Sequence, residues 1–116
     1  MRRRTYTMGL RLLSGWWERL RGLLGTGRDA PAVLIDRCAS VHTFGMAYPL
    51  DLLFLDPSCR VLRSYRAVPA NRVVSARGAR AVVERPACSG PWPQAGDRID
   101  VKISFKEKRG DARWRF

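Results

Sequence analysis

The apolar residues change their spacing several times along the chain, and each change predicts an element. Residues 5–12, TYTMGLRL, read as a first strand. Ser14 is then placed to cap a short helix through Gly22 or Leu24. Trp16, Leu20, Leu23 and Leu24 fall at i, i+4, i+7 and i+8, one apolar stripe, with Gly25 and Gly27 as the stop. From Ala32 the period becomes two: Val33 and Ile35 alternate with Leu34 and Asp36 and lead into Cys38. After a loop around Thr43 to Tyr48, the run LDLLFLD puts Leu50, Leu52 and Phe54 on one face and Leu53, Leu55 and Asp51 on the other, a strand expected to be buried on both sides.

Asp56-Pro57-Ser58-Cys59 has turn chemistry and RVLRSYRAV restores the strand pattern, so 50–68 is predicted to be a hairpin. ARAVVERP gives another strand, with either Ala81 and Val83 or Val82 and Glu84 turned inward, closed by Pro86. After the loop ACSGPWPQAGD, the run RIDVKISF alternates Ile99, Val101, Ile103 and Phe105 with Asp100, Lys102 and Ser104, the clearest strand in the chain. The expected fold is mainly β: a small β-barrel or roll of about six strands, with one short N-terminal helix covering an opening or edge. Residues 1–105 form one β-rich domain, and 106–116 a basic C-terminal tail without periodicity that is expected to fray.

Composition agrees with a folded core, since 46% of the 116 residues are hydrophobic and 9% aromatic, and a chain of this length needs no disulfide or metal to fold. The three cysteines, Cys38, Cys59 and Cys88, are odd in number and lack C-x-x-C spacing, which suits a reducing compartment. No apolar run is long enough to span a membrane, and the first 25 residues hold no apolar export signal, even if Met8 is the start. A cytoplasmic location is expected, with envelope association left open.

The net charge of +12 is uneven: residues 1–28 carry +6, 29–59 carry −3, 60–86 carry +6, 87–105 balance, and the tail carries +3. Of the 22 basic residues 19 are Arg, a bias that a GC-rich genome produces without selection for phosphate contacts. No RNP-like, helix-turn-helix or zinc-finger spacing accompanies the charge, so nucleic acid is disfavoured as a partner.

Four stretches stand out in order: WERLRGLLG (17–25), C-x-x-VHTFGM-x-x-PLD-x-x-FLD (38–56), VVERPAC (82–88) with Pro69 before it, and AGDRIDV (95–101). In these the chain, over residues 16–105, resembles the family known as domain of unknown function 192, or uncharacterised protein family 0127. The resemblance implies a small β-rich domain with no assigned common activity. It leads one to expect glycine in the hairpin turn where this chain has Cys59, and it does not cover the basic tail. It also implies export for some members, against which stands the missing signal sequence here.

The central segment holds the candidate chemistry. Cys38, the single histidine His42, and Asp51 could serve as nucleophile, base and orienting carboxylate. In an extended chain, however, Cys38 and His42 lie roughly 13 Å apart at about 3.3 Å per residue, so the backbone must bend to join them. The alternative is structural: Cys38 as a small buried residue, and Asp51 accepting backbone N–H bonds from the His42–Met46 loop. A zinc site needs three or four ligands at preferred spacings that these residues lack, so no metal or other cofactor is expected. Phe44 and Met46 could line a pocket or fill the core. The candidate ligand-binding residues are therefore Cys38, His42, Thr43, Phe44, Met46 and Asp51, with no catalytic residue assigned.

The leading reading is a small soluble, non-enzymatic binding or accessory module whose 38–51 loop forms a cleft, with nearby arginines attracting an anionic ligand or partner. A small Cys/His-dependent enzyme is the alternative, and a binder of an anionic polymer or membrane surface the second.

Overall fold

The structure, a computed structural model, describes residues 3–13, Gly15, Arg19 and residues 21–103. The tail, Ser104 and Phe105, and most of the predicted helix lie outside the described residues. Of that helix, Gly15 and Arg19 are joined by an i,i+4 bond from the Arg19 N–H to the Gly15 carbonyl, 2.9 Å.

The chain is mainly β. Strands β1 (Thr5–Leu13), β2 (Val33–Asp36), β4 (Leu50–Leu55), β5 (Val61–Val68), β7 (Ala81–Pro86) and β8 (Arg98–Ile103) form a six-stranded sheet in the order β5-β4-β7-β2-β1-β8. Two short strands that the hydrophobic pattern did not announce, β3 (Ser40–His42) and β6 (Val73–Ser75), pair antiparallel in a separate ribbon.

The six-stranded sheet curls into a half-barrel, and β1 shows how. Its first half, Thr5 to Leu10, pairs parallel with β8; its second half, Arg11 to Leu13, pairs parallel with β2. One strand thus hands over from one neighbour to the other along its length. At one end the two edge strands meet: the Val61 N–H donates to the Asp97 carbonyl at 2.8 Å, the Ile99 N–H to the Cys59 carbonyl at 2.9 Å, and Arg60 bridges to Arg98.

The doubly buried strand is as the alternation predicts. Every residue of β4 is buried; Leu50, Leu52 and Phe54 join Leu13, Leu23, Val33, Ile35 and Val82 on one face, while Leu53 and Leu55 join Leu10, Val83, Trp92 and Ile99 on the other. A buried Leu or Phe removes enough apolar surface from water to contribute about 1.5–3 kcal/mol, so this two-sided packing fixes β4 as the spine of the domain. β7 beside it divides likewise, with Val82 on the first face and Val83 on the second. Strand alternation then puts Glu84 on the same face as Val82, the face that residues 21–24 and the 40–46 segment cover.

The predicted hairpin is present, and Asp56 builds its turn. One of its carboxylate oxygens accepts the N–H groups of Ser58 and Arg60 and the Ser58 hydroxyl, at 2.9 to 3.0 Å. Cys59 sits at the tip with φ +65°, the left-handed conformation glycine adopts without a steric cost.

Candidate functional site

Thr43, fully buried, holds the central loop. Its hydroxyl donates to the Pro69 carbonyl at 2.7 Å and accepts the Arg72 N–H at 2.9 Å; its own N–H donates to the Arg72 carbonyl, and its carbonyl accepts from Met46 and Asn71. With every polar group of the residue engaged by backbone, Thr43 shapes the loop from within. Gly45, at φ +79°, completes the bend, and a Cβ there would come within 3.2 Å of Leu24.

Asp51 does not take its hydrogen bonds from that loop, which corrects the expectation drawn from the sequence. One carboxylate oxygen accepts the Ala67 N–H at 2.8 Å and the other accepts Arg85 Nε at 2.8 Å. The register between β4 and β5 shifts at this point, leaving Ala67 in a bulge with φ +54°. The Arg85 guanidinium in turn lies over the Trp92 ring, 4.1 Å from its centre, and donates to the Gly90 and Pro91 carbonyls. Asp51 is an anchor, 1% exposed, but it ties a bulge and a neighbouring strand rather than the 42–46 loop. The sequence could not supply this partner, because Arg85 lies 34 positions away and meets Asp51 only through the β4–β7 register.

Cys38, His42 and Asp51 are joined by no hydrogen bond or ion pair among those the described residues make. The Cys38 sulfur donates to the Ser40 carbonyl at 3.2 Å, and His42 Nδ1 accepts the Phe44 N–H at 3.2 Å. Burial pushes the Cys38 thiol up, helped by the Glu84 charge and only partly offset by the Arg19 charge. A thiol so placed is a weaker nucleophile at neutral pH, not a stronger one. Among the described residues, no three His, Cys, Asp or Glu side chains converge as a metal-holding group.

What the fold does assemble is a cleft of about 80 Å³ between Arg19 with residues 21–24 and the 40–46 segment. Of the residues singled out from sequence, His42, Phe44 and Met46 line it, and Cys38, Thr43 and Asp51 do not. His42 is exposed and stacks on Phe44, itself 49% exposed, with ring centres 5.4 Å apart. Met46 packs partly against the core.

Three charged side chains that line the cleft were not among the sequence candidates: Arg19, Arg21 and Glu84. Glu84 is 3% exposed, and burial pushes its carboxyl up to about 7, against the stabilising hydrogen bond from the Leu23 backbone. Gly22 makes room for it. A Cβ at Gly22 would lie 2.9 Å from Glu84 Oε1, and its φ of +55° also favours glycine. Arg21 Nε donates to the Leu24 carbonyl at 3.0 Å, and an Arg19 terminal nitrogen reaches the Arg37 carbonyl at 3.4 Å, whereas Arg19 Nε is buried without a hydrogen-bond partner among the described residues. The signal for Glu84 was present in the sequence as a carboxylate in the strand AVVERP. Its burial depended on which distant segment covers that face.

No protein-family model and no curated protein matches this chain. Two solved structures share its fold. One is a protein of unknown function from Novosphingobium aromaticivorans, with a TM-score of 0.57 and 21% identity over 66% of this chain and 61% of that one. The other is a Sinorhizobium meliloti protein provisionally described as a transcription regulator, with a TM-score of 0.60 and 21% identity over 67% of each chain. This chain thus spans about three fifths of the first neighbour's length, and at such identity the likeness is one of fold. Among the described residues no helix is long and apolar enough to cross a membrane.

Proposed function

We propose that this chain is a member of the domain of unknown function 192 family and works as a non-enzymatic binding or accessory domain, whose cleft seats a small ligand carrying an anionic group. The family part of the reading is supported by the four sequence stretches and agrees with the half-barrel that two solved structures share. The binding part rests on one observation above all: Arg19, whose buried Nε has no hydrogen-bond partner among the described residues, lines a cleft beside Arg21.

A buried guanidinium N–H without an acceptor costs free energy that a carboxylate or phosphate oxygen would recover, and charge-assisted bonds of this kind are stronger than neutral ones. The cleft wall is held from behind by the Thr43 bonds, so little ordering cost falls on binding. The Cys/His enzyme alternative has less support, because the thiol is raised and His42 Nδ1 is engaged by the Phe44 N–H.

The test is a titration of the full chain with acetate and with inorganic phosphate, followed by backbone amide NMR. Shifts concentrated at residues 21–24 and 40–46, and weakened at least fivefold by Arg19→Gln together with Arg21→Gln, are expected. Absence of such shifts, or shifts that survive both substitutions, would overturn the reading.

A further inference from the structure

The same cleft holds a second unmet requirement, of opposite sign. Glu84 lines it, nearly buried, and no basic side chain pairs with it among the described residues, whose two ion pairs are Arg80–Asp36 and Arg85–Asp51. Glu84 and Arg19 therefore face one cavity without bonding to each other, although each would be satisfied by an opposite charge. A carboxylate removed from water must be paired, bonded or protonated, and among the described residues the bond that lowers its pKa comes from the Leu23 N–H. The cavity's size limits what can satisfy both groups. At about 80 Å³ it falls well below the roughly 300–1,000 Å³ of a drug-sized site, so it takes a group of a few heavy atoms.

Resting on the binding reading above, we propose that the ligand is a small zwitterion of the amino-acid type, its ammonium donating to Glu84 and its carboxylate accepting from Arg19 and Arg21. Gly22 is the element that makes this geometry available. Any side chain there would press on the Glu84 carboxylate, so the absence of a Cβ leaves that carboxylate in place on the cavity wall. His42 and Phe44 form the outer rim, where a small ligand side chain would end.

The proposal separates from a simple anion site by which probes bind and which variant loses them. Glycine, methylammonium and acetate are titrated separately into the full chain and into Glu84→Gln, with amide shifts at residues 22–24 and 83–85 as the readout. Gln keeps the shape of the carboxyl and removes its charge. Glycine is expected to bind at least tenfold more tightly than acetate or methylammonium, and Glu84→Gln to lose at least tenfold in glycine affinity while acetate, no longer repelled by the carboxylate, binds no more weakly than to the native chain. If acetate alone reproduces the glycine response, or Glu84→Gln binds glycine as the native chain does, the zwitterion proposal fails and the anion cleft stands. If none of the three probes shifts the cleft amides, both readings fail together.

Discussion

Replacing Glu84 by Gln should change how stability depends on pH rather than simply raise or lower it. The Glu84 carboxyl is raised from 4.5 to about 7 in the folded protein, so folding opposes its ionisation. A carboxyl raised in this way adds nothing unfavourable below its unfolded pKa, and it destabilises progressively as pH rises toward the folded value. Each unit of pKa corresponds to about 1.36 kcal/mol, so the full penalty is about 3 kcal/mol and is complete by about pH 8. Gln presents the same shape and can still accept the Leu23 N–H, but it never ionises. The native chain and Glu84→Gln should therefore have similar stabilities at pH 4, and the variant should be more stable by about 3 kcal/mol at pH 8. Urea unfolding followed by tryptophan fluorescence measures this directly, because Trp92 is buried. At about 1–3 kcal/mol per molar urea the difference in midpoint is roughly 1–3 M. Groups that titrate identically in both proteins cancel in the comparison. A difference that stays flat from pH 4 to pH 8, or that favours the native chain at high pH, would refute the assignment of Glu84 as a buried carboxylate without a charge partner among the described residues.

Thr43→Val keeps the side-chain shape but strands the Arg72 N–H and the Pro69 carbonyl, and it should cost about 1–3 kcal/mol in urea unfolding. Asp51→Ala leaves the Arg85 guanidinium without its carboxylate and frees the Ala67 bulge; a loss of about 3 kcal/mol is expected, and an unchanged melting temperature would contradict the anchoring role. Cys59→Gly relieves a left-handed residue at the hairpin tip and should gain up to about 1 kcal/mol, after the added freedom of the unfolded chain is subtracted. Iodoacetamide at neutral pH, with mass-spectrometric site mapping, should modify exposed Cys88 well before Cys38, whose thiol burial raises; preferential labelling of Cys38 would restore the thiol-enzyme alternative.

Period and punctuation alone determined most of the sheet. Alternation in RIDVKI, the two-faced apolar run of β4, and the Asp56 turn each depend on residues within one local segment, so strands β1, β2, β4, β5, β7 and β8 were all legible. The ribbon of β3 and β6 was not, because Ser40–His42 and Val73–Ser75 have only three residues each and pair across some thirty positions. The site divides in the same way. His42, Phe44 and Met46 were visible as an unusual loop composition, and they do line the cleft. What only the tertiary structure decided is where the charges go. The β4–β7 register gives Asp51 its Arg85, and residues 21–24 fold over the Val82 side of β7 and enclose Glu84. A carboxylate's burial and partner belong to whatever packs on it from far along the chain, and no local pattern encodes that.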